Sequence, residues 1–173
     1  SNVSNTRTYR ELAKRAGRTI LGITILDKRT AGMNDELEWP SSDLIAMPPM
    51  ATTIAAQKHT LAARAAIVEI ARRSDVLFVR MPFQIPWALL GLRRPKLLHF
   101  GSDVHEIVRA STDYRGVMRA AALSYARLGE ATFQVLMREP GTRVATNGRA
   151  LHRKYRVGDR GIGCARWVDA RRG

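Results

Sequence analysis

Apolar and polar positions along the chain follow two rhythms. Short β-branched runs end in Pro or Gly, and longer Ala-rich stretches carry apolar residues three and four apart. The first rhythm predicts strands at residues 19–26, 43–47, 76–79, 96–100 and 143–146, with Pro48 and Pro49 closing the second and Pro82 following the third. The second rhythm predicts a basic helix over residues 9–18 and another running from Thr52, with Leu61, Ala65 and Val68 on its apolar face. Arg72 and Arg73 fall in the last turn of that helix, where cations suit the dipole. A long helix is expected over residues 116–138, with Val117, Ala121, Ser124, Leu128, Ala131 and Val135 as its apolar stripe and Pro140 and Gly141 as its stop. Residues 27–40 read as loop. Residues 83–90 are too Pro-punctuated for a full helix, although Pro86 suits a first helical position. Asn147 and Gly148 open a short basic helix toward Tyr155.

Strands alternating with helices imply an α/β fold: a Rossmann-like, open, mainly parallel sheet with helices on both faces. Residues 1–155 would form this domain, and the short stretch before the first strand fits the loss of an upstream βα unit. Residues 156–173 are rich in Gly and Arg, lack periodicity, and read as a tail or linker.

A chain of 173 residues with 45% hydrophobic content suits one domain with a sizeable core. No stretch approaches the ~20 apolar residues of a membrane span, and no leader pattern precedes a cleavage site. Cys164 is the single cysteine, so no internal disulfide forms, which fits a reducing, cytoplasmic setting. The formal charge of +14 leaves two readings level: a solvated basic surface, or attraction to an anionic ligand or to the inner face of an anionic membrane. Nucleic acid is disfavoured, because the cations are spread along the chain without a dense basic tract interleaved with aromatics.

In open α/β sheets, ligands bind just beyond the carboxyl ends of the strands. Two runs place ionisable residues there, Ser74-Asp-Val-Leu-Phe-Val-Arg-Met-Pro82 and Pro95-Lys-Leu-Leu-His-Phe-Gly-Ser-Asp-Val-His-Glu106. Asp103 and His105 are candidates for general base work on a hydroxyl, with Gly101, Ser102 and Glu106 around them. Asp103 also fits an N-cap for a helix starting near Val104, with Glu106 completing a capping box. His99 lies inside its strand and reads as a core or supporting histidine. Arg80 offers a planar fork for a phosphate or carboxylate, or an ion pair with an acid such as Asp103. Asn147 and Gly148 either meet an anion at a helix entry or act as a plain cap. Phe83, Ile85 and Trp87 are either core or an apolar lean on a membrane. His99, Asp103, His105 and Glu106 match no zinc spacing, so no metal is expected. The absence of GxGxxG, GxxxxGK[ST] and GxSxG disfavours classical dinucleotide binding, P-loop hydrolysis and the simplest α/β-hydrolase.

From about residue 75 to 155, the order of these pieces resembles the amino-terminal, acceptor-side domain of GT-B glycosyltransferases, especially the retaining family 4 group. The first run is similar to that family's P-D-V-V-H-V-R-x-P strand and loop. Val144-Ala-Thr-Asn-Gly-Arg-Ala-Leu-His-Arg-Lys-Tyr155 is similar to its V-x-x-x-S-x-x-L-x-x-x-Y strand and helix. Gly101 and Asp103 match the family's His-Gly-x-Asp in place, whereas Phe100 stands where its histidine would be and His99 comes one position early.

The resemblance implies an acceptor-binding domain for hexosyl transfer from a nucleotide-sugar to a polysaccharide or lipid-linked acceptor. Arg80, Gly101, Ser102, Glu106, Asn147 and Gly148 would contact the acceptor, and Asp103 and His105 would orient its hydroxyl. It also implies that this half binds no cofactor. The nucleotide-sugar belongs to a carboxyl-terminal domain bearing Glu-x7-Glu, without which the chain would not turn over. Glu130 and Glu139 come nearest that motif but sit on the long helix. The alternative is a non-catalytic basic α/β module that binds nucleic acid or another polyanion.

Overall fold

The first β-branched run forms a strand at Leu21–Thr24 (β1), which pairs in parallel with Leu44–Met47 (β2) in the register Leu21 to Leu44 and Thr24 to Met47. The computed structural model describes residues 14–16, 19–24, 43–50, 53–112, 114–155 and 161–163. These fall into two compact units, Ser1–Ser74 and Asp75–Gly173. Of the basic helix expected over residues 9–18, residues 14–16 are helical and the rest lie outside the described residues, as does the loop expected at 27–40.

In the first unit the expected helix is two, Thr53–Lys58 (α1) and Thr60–Arg72 (α2). The break falls at His59, whose φ of −102° and ψ of 14° leave the helical region. The Thr60 hydroxyl then donates back to the Gln57 carbonyl at 2.9 Å, taking up a carbonyl near the end of α1. α2 packs on both strands. Its buried residues are Ala63, Ile67 and Ala71, not the expected Leu61, Ala65 and Val68, and Leu61 is 85% exposed. Both series satisfy a 3.6-residue period in so alanine-rich a helix. The one carrying alanines at both ends permits the closer approach to the sheet. Gly22 reflects the same closeness, since a Cβ there would stand 2.7 Å from Ile70 Cδ1.

The second unit holds a four-stranded sheet in the order β3 (Leu77–Met81), β4 (Lys96–Phe100), β5 (Thr142–Thr146) and β6 (Gly161–Gly163), all parallel. Strands, parallel pairing and intervening helices are consistent with a Rossmann-like α/β fold. The segment expected to be tail or linker contributes β6, opposite Val144 to Thr146, and its remaining residues lie outside the described ones. A short 3₁₀ turn, Pro86–Leu89, has Pro86 at its first position and joins β3 to β4. Val104–Ala110 (α3) and Gly116–Arg138 (α4) join β4 to β5, and Gly148–Lys154 (α5) joins β5 to β6.

Side-chain alternation sorts the sheet into two faces. Leu98, Phe100 and Val144 are buried on one, where Phe100 meets Phe133 of α4 edge-on at 5.7 Å and stacks on Tyr155 at 4.0 Å. Phe78, Leu97 and His99 are half-buried on the other, and Arg80 is exposed there. Lys96 carries a charge on the inner face, where Thr142 and Thr146 are also buried. It is 1% exposed, and its Nζ lies 2.7 Å from Glu139 Oε2 and also donates to the Leu92 carbonyl.

α4 spans the expected residues but turns the other way. Its buried residues are Ala126, Gly129, Thr132, Phe133, Leu136 and Met137. The expected stripe, Val117, Ala121, Ser124, Leu128, Ala131 and Val135, is its exposed face, with Val117 at 85%. Area decides between them over the second half of the helix, where Phe133, Leu136 and Met137 carry more apolar surface to remove from water than Leu128, Ala131 and Val135 opposite.

Candidate functional site

The candidate site lies where β3, β4 and β5 end together. In the register, Arg80, His99 and Ala145 share one row, and Met81, Phe100 and Thr146 share the next. The backbone ladder continues into the loops: the Gly101 amide donates to the Met81 carbonyl at 3.2 Å, and the Asn147 amide donates to the Phe100 carbonyl at 3.0 Å. Three loops are thereby held side by side, and residues separated in sequence by up to about seventy positions meet at one edge.

Arg80, Gly101 and Asn147 come together there. A Cβ placed on Gly101 would stand 3.9 Å from each of Arg80 Nε, Arg80 Nη2 and Asn147 Nδ2. Asn147 occupies the N-cap position of α5 but its side chain caps nothing. Its Oδ1 lies 3.0 Å from His99 Nε2, so that ring nitrogen donates and the amide nitrogen is left pointing elsewhere. His99 in turn packs against Phe78 at a centroid distance of 5.8 Å. Its ring thus joins Asn147 to Phe78. Gly148 follows with φ of 82°, a left-handed value that suits glycine.

Asp103 makes no ion pair with Arg80. Its Oδ1 accepts the His105 amide at 2.8 Å, making it the N-cap of α3, and its Oδ2 accepts Lys154 Nζ at 2.7 Å. The reciprocal Glu106 bond of a full capping box is not present among the described residues. Lys154 Nζ also lies 3.3 Å from Glu130 Oε2, which accepts the Tyr155 hydroxyl at 3.0 Å. Burial raises the Asp103 pKa, but the bonds from Lys154 and the His105 amide outweigh it and hold the carboxyl below its ordinary value. Burial, reinforced by the Glu130 charge, pushes the Tyr155 phenol well up. A carboxylate so engaged is a poor proton acceptor at neutral pH and a good anchor for its loop.

His105 and Glu106 stand on the first turn of α3, half-buried and exposed respectively, and Ser102 is half-buried between Gly101 and the cap. Among the described residues, the His105 ring makes no hydrogen bond. Ile85 is fully buried, and Trp87 packs edge-on against Tyr125 at 5.8 Å, while the Tyr125 hydroxyl donates to the Gln84 carbonyl. Of the apolar group at 83–87, Ile85 is core and Phe83 and Trp87 are half-buried. No cluster of three His, Cys, Asp or Glu side chains suited to a metal occurs among the described residues, and no described helix is long and apolar enough to cross a membrane.

Sequence reasoning missed Lys154, Glu130 and Tyr155 as partners of the Asp103 loop. The available signal was a lone lysine in the last turn of α5 beside a tyrosine, which has meaning only once β4 and β5 are known to be neighbours. No family model, curated protein or solved structure matches the chain.

Proposed function

We propose that the chain is the acceptor-binding domain of a GT-B glycosyltransferase, one whose complete form moves a hexosyl group from a nucleotide-sugar to a polysaccharide or lipid-linked acceptor. The observation that carries this reading is the gathering of Arg80, Gly101 and Asn147 at the carboxyl edge of three parallel strands. Ligands of open α/β sheets bind at such edges. The order of the motifs that resemble the family supports it as well.

In this reading Arg80, Gly101, Asn147 and Gly148 receive the acceptor, with Ser102 and Glu106 beside them. His105 takes the hydroxyl proton, and Asp103 anchors the loop that carries it. Donor binding falls to a carboxyl-terminal GT-B domain, and a lipid-linked acceptor would be met at an anionic membrane surface.

The test supplies the chain with an intact carboxyl-terminal GT-B domain and assays sugar transfer. Transfer that is lost on His105→Ala supports the proposal. No transfer with a competent partner, together with duplex DNA binding that falls steeply with salt, replaces it with the polyanion module.

A further inference from the structure

We infer that the ligand received at this edge bears an oxyanion, a phosphate or a carboxylate, held by the Arg80 guanidinium and the Asn147 amide over Gly101. This deepens the acceptor reading and rests on it for the identity of the remainder of the ligand.

The first argument is an inventory of donors. Arg80 has five N–H donors and no acceptor. Asn147 has one side-chain acceptor, and it is engaged by His99 at 3.0 Å. What these two side chains present toward Gly101 is therefore N–H alone. Arg80 has no carboxylate within ion-pair distance among the described residues. The acid expected as its partner, Asp103, is held by Lys154 at 2.7 Å, and Glu130 is engaged by Lys154 and Tyr155. The Arg80 charge is thereby left without an ion-pair partner among the described residues, while Glu106 stands exposed on the first turn of α3.

The second argument is shape. Arg80 Nε and Nη2 are equidistant, at 3.9 Å, from the point a Gly101 Cβ would occupy. The two nitrogens of the guanidinium's side-on edge, the edge that grips an oxyanion in bidentate fashion, are thus equally near the space that glycine leaves open. Asn147 Nδ2 stands at the same distance from that point. A phosphate or carboxylate has more than one oxygen, so a group seated in that space can offer one to the guanidinium and another to the amide, each at the about 2.7–2.9 Å of a charge-assisted hydrogen bond. A side chain at residue 101 would compete for that space. His99 acts through Asn147 and is a positioning residue.

The experiment titrates the full chain with inorganic phosphate, a hexose 1-phosphate, a hexuronate and the neutral hexose. Affinity is measured by calorimetry, and the Arg80 Nε–H and Asn147 side-chain amide resonances are followed by NMR. The expected result is binding of the anionic sugars at least tenfold tighter than the neutral hexose, with both resonances shifting. Arg80→Gln and Gly101→Val should remove the advantage, and Arg127→Gln, on the exposed face of α4, should keep it. The phosphate and uronate arms distinguish the two sources of the oxyanion.

If the neutral hexose binds as well as its charged counterparts and Arg80→Gln changes neither, the oxyanion inference falls and the acceptor reading stands. If inorganic phosphate binds through Arg80 but a sugar adds nothing, the oxyanion site stands and the acceptor reading falls. Failure of every probe to bind, or an equal loss in Arg127→Gln, overturns the inference.

Discussion

Asp103 Oδ2 and Lys154 Nζ lie 2.7 Å apart although 51 residues separate them in the chain, and this contact ties the loop after β4 to the end of α5. The same carboxylate caps α3, so one side chain fixes two elements. Asp103→Ala should cost about 1–2 kcal/mol, most of it the lost cap and the remainder a partly exposed ion pair. Urea denaturation at pH 7 measures it.

The same contact gives acid sensitivity a direction. The folded Asp103 carboxyl lies below its ordinary value of 3.8, through its bonds with Lys154 and the His105 amide acting against burial. A depressed carboxyl contributes stability that is fully present above the unfolded value and is lost as pH falls through the folded one. Asp103→Asn should therefore lower stability at pH 7 and lose less than the parent chain between pH 4 and pH 2. Parallel denaturation midpoints across that window would show equal losses if the carboxylate were unengaged.

Lys96 and Glu139 provide a second, more buried clamp. The ammonium is 1% exposed, and Glu139 Oε1 accepts the Gly91 amide at 2.9 Å, so the pair closes the loop between the 3₁₀ turn and β4. Removing one partner of a buried pair strands the other charge. Lys96→Met should cost about 3 kcal/mol, and adding Glu139→Gln should recover part of it. A double-mutant cycle by chemical denaturation checks the coupling; strictly additive losses would show that the two groups do not depend on each other.

Phe133 and Leu128 share α4, yet one is buried against Phe100 and the other exposed. Leu136→Ala, also on the buried face, should cost about 2–5 kcal/mol, whereas Leu128→Gln should change stability by less than about 0.5 kcal/mol. Comparable losses at both positions would mean that the outward face is covered.

These elements show what the sequence made legible. The limits of β4 and α4 were readable because Pro95, Gly101, Gly116, Pro140 and Gly141 punctuate them. The buried faces of α2 and α4 were not. Alanine satisfies an apolar period on several faces at once, and only the sheet selects one. At the site, the Asp103 cap was a local signal three residues wide. The Asp103 to Lys154 and His99 to Asn147 contacts are long-range products of β4 lying beside β5, so no local spacing announces them.

His99 offers the sharpest test of how the edge is organised. Its Nε2 holds Asn147 Oδ1, while its ring packs on Phe78, so His99→Phe keeps the apolar contact and removes only the hydrogen bond. A partly exposed hydrogen bond contributes about 0.5–1.5 kcal/mol, and the fold should survive its loss. With Oδ1 released, Asn147 is free to present either end of its amide toward Gly101. The variant should bind hexose 1-phosphate several-fold more weakly and show an averaged Asn147 side-chain resonance, while the Arg80 Nε–H shift persists. Unchanged affinity with an ordered Asn147 would show that the amide holds its orientation without the imidazole, and would leave His99 only a packing role against Phe78.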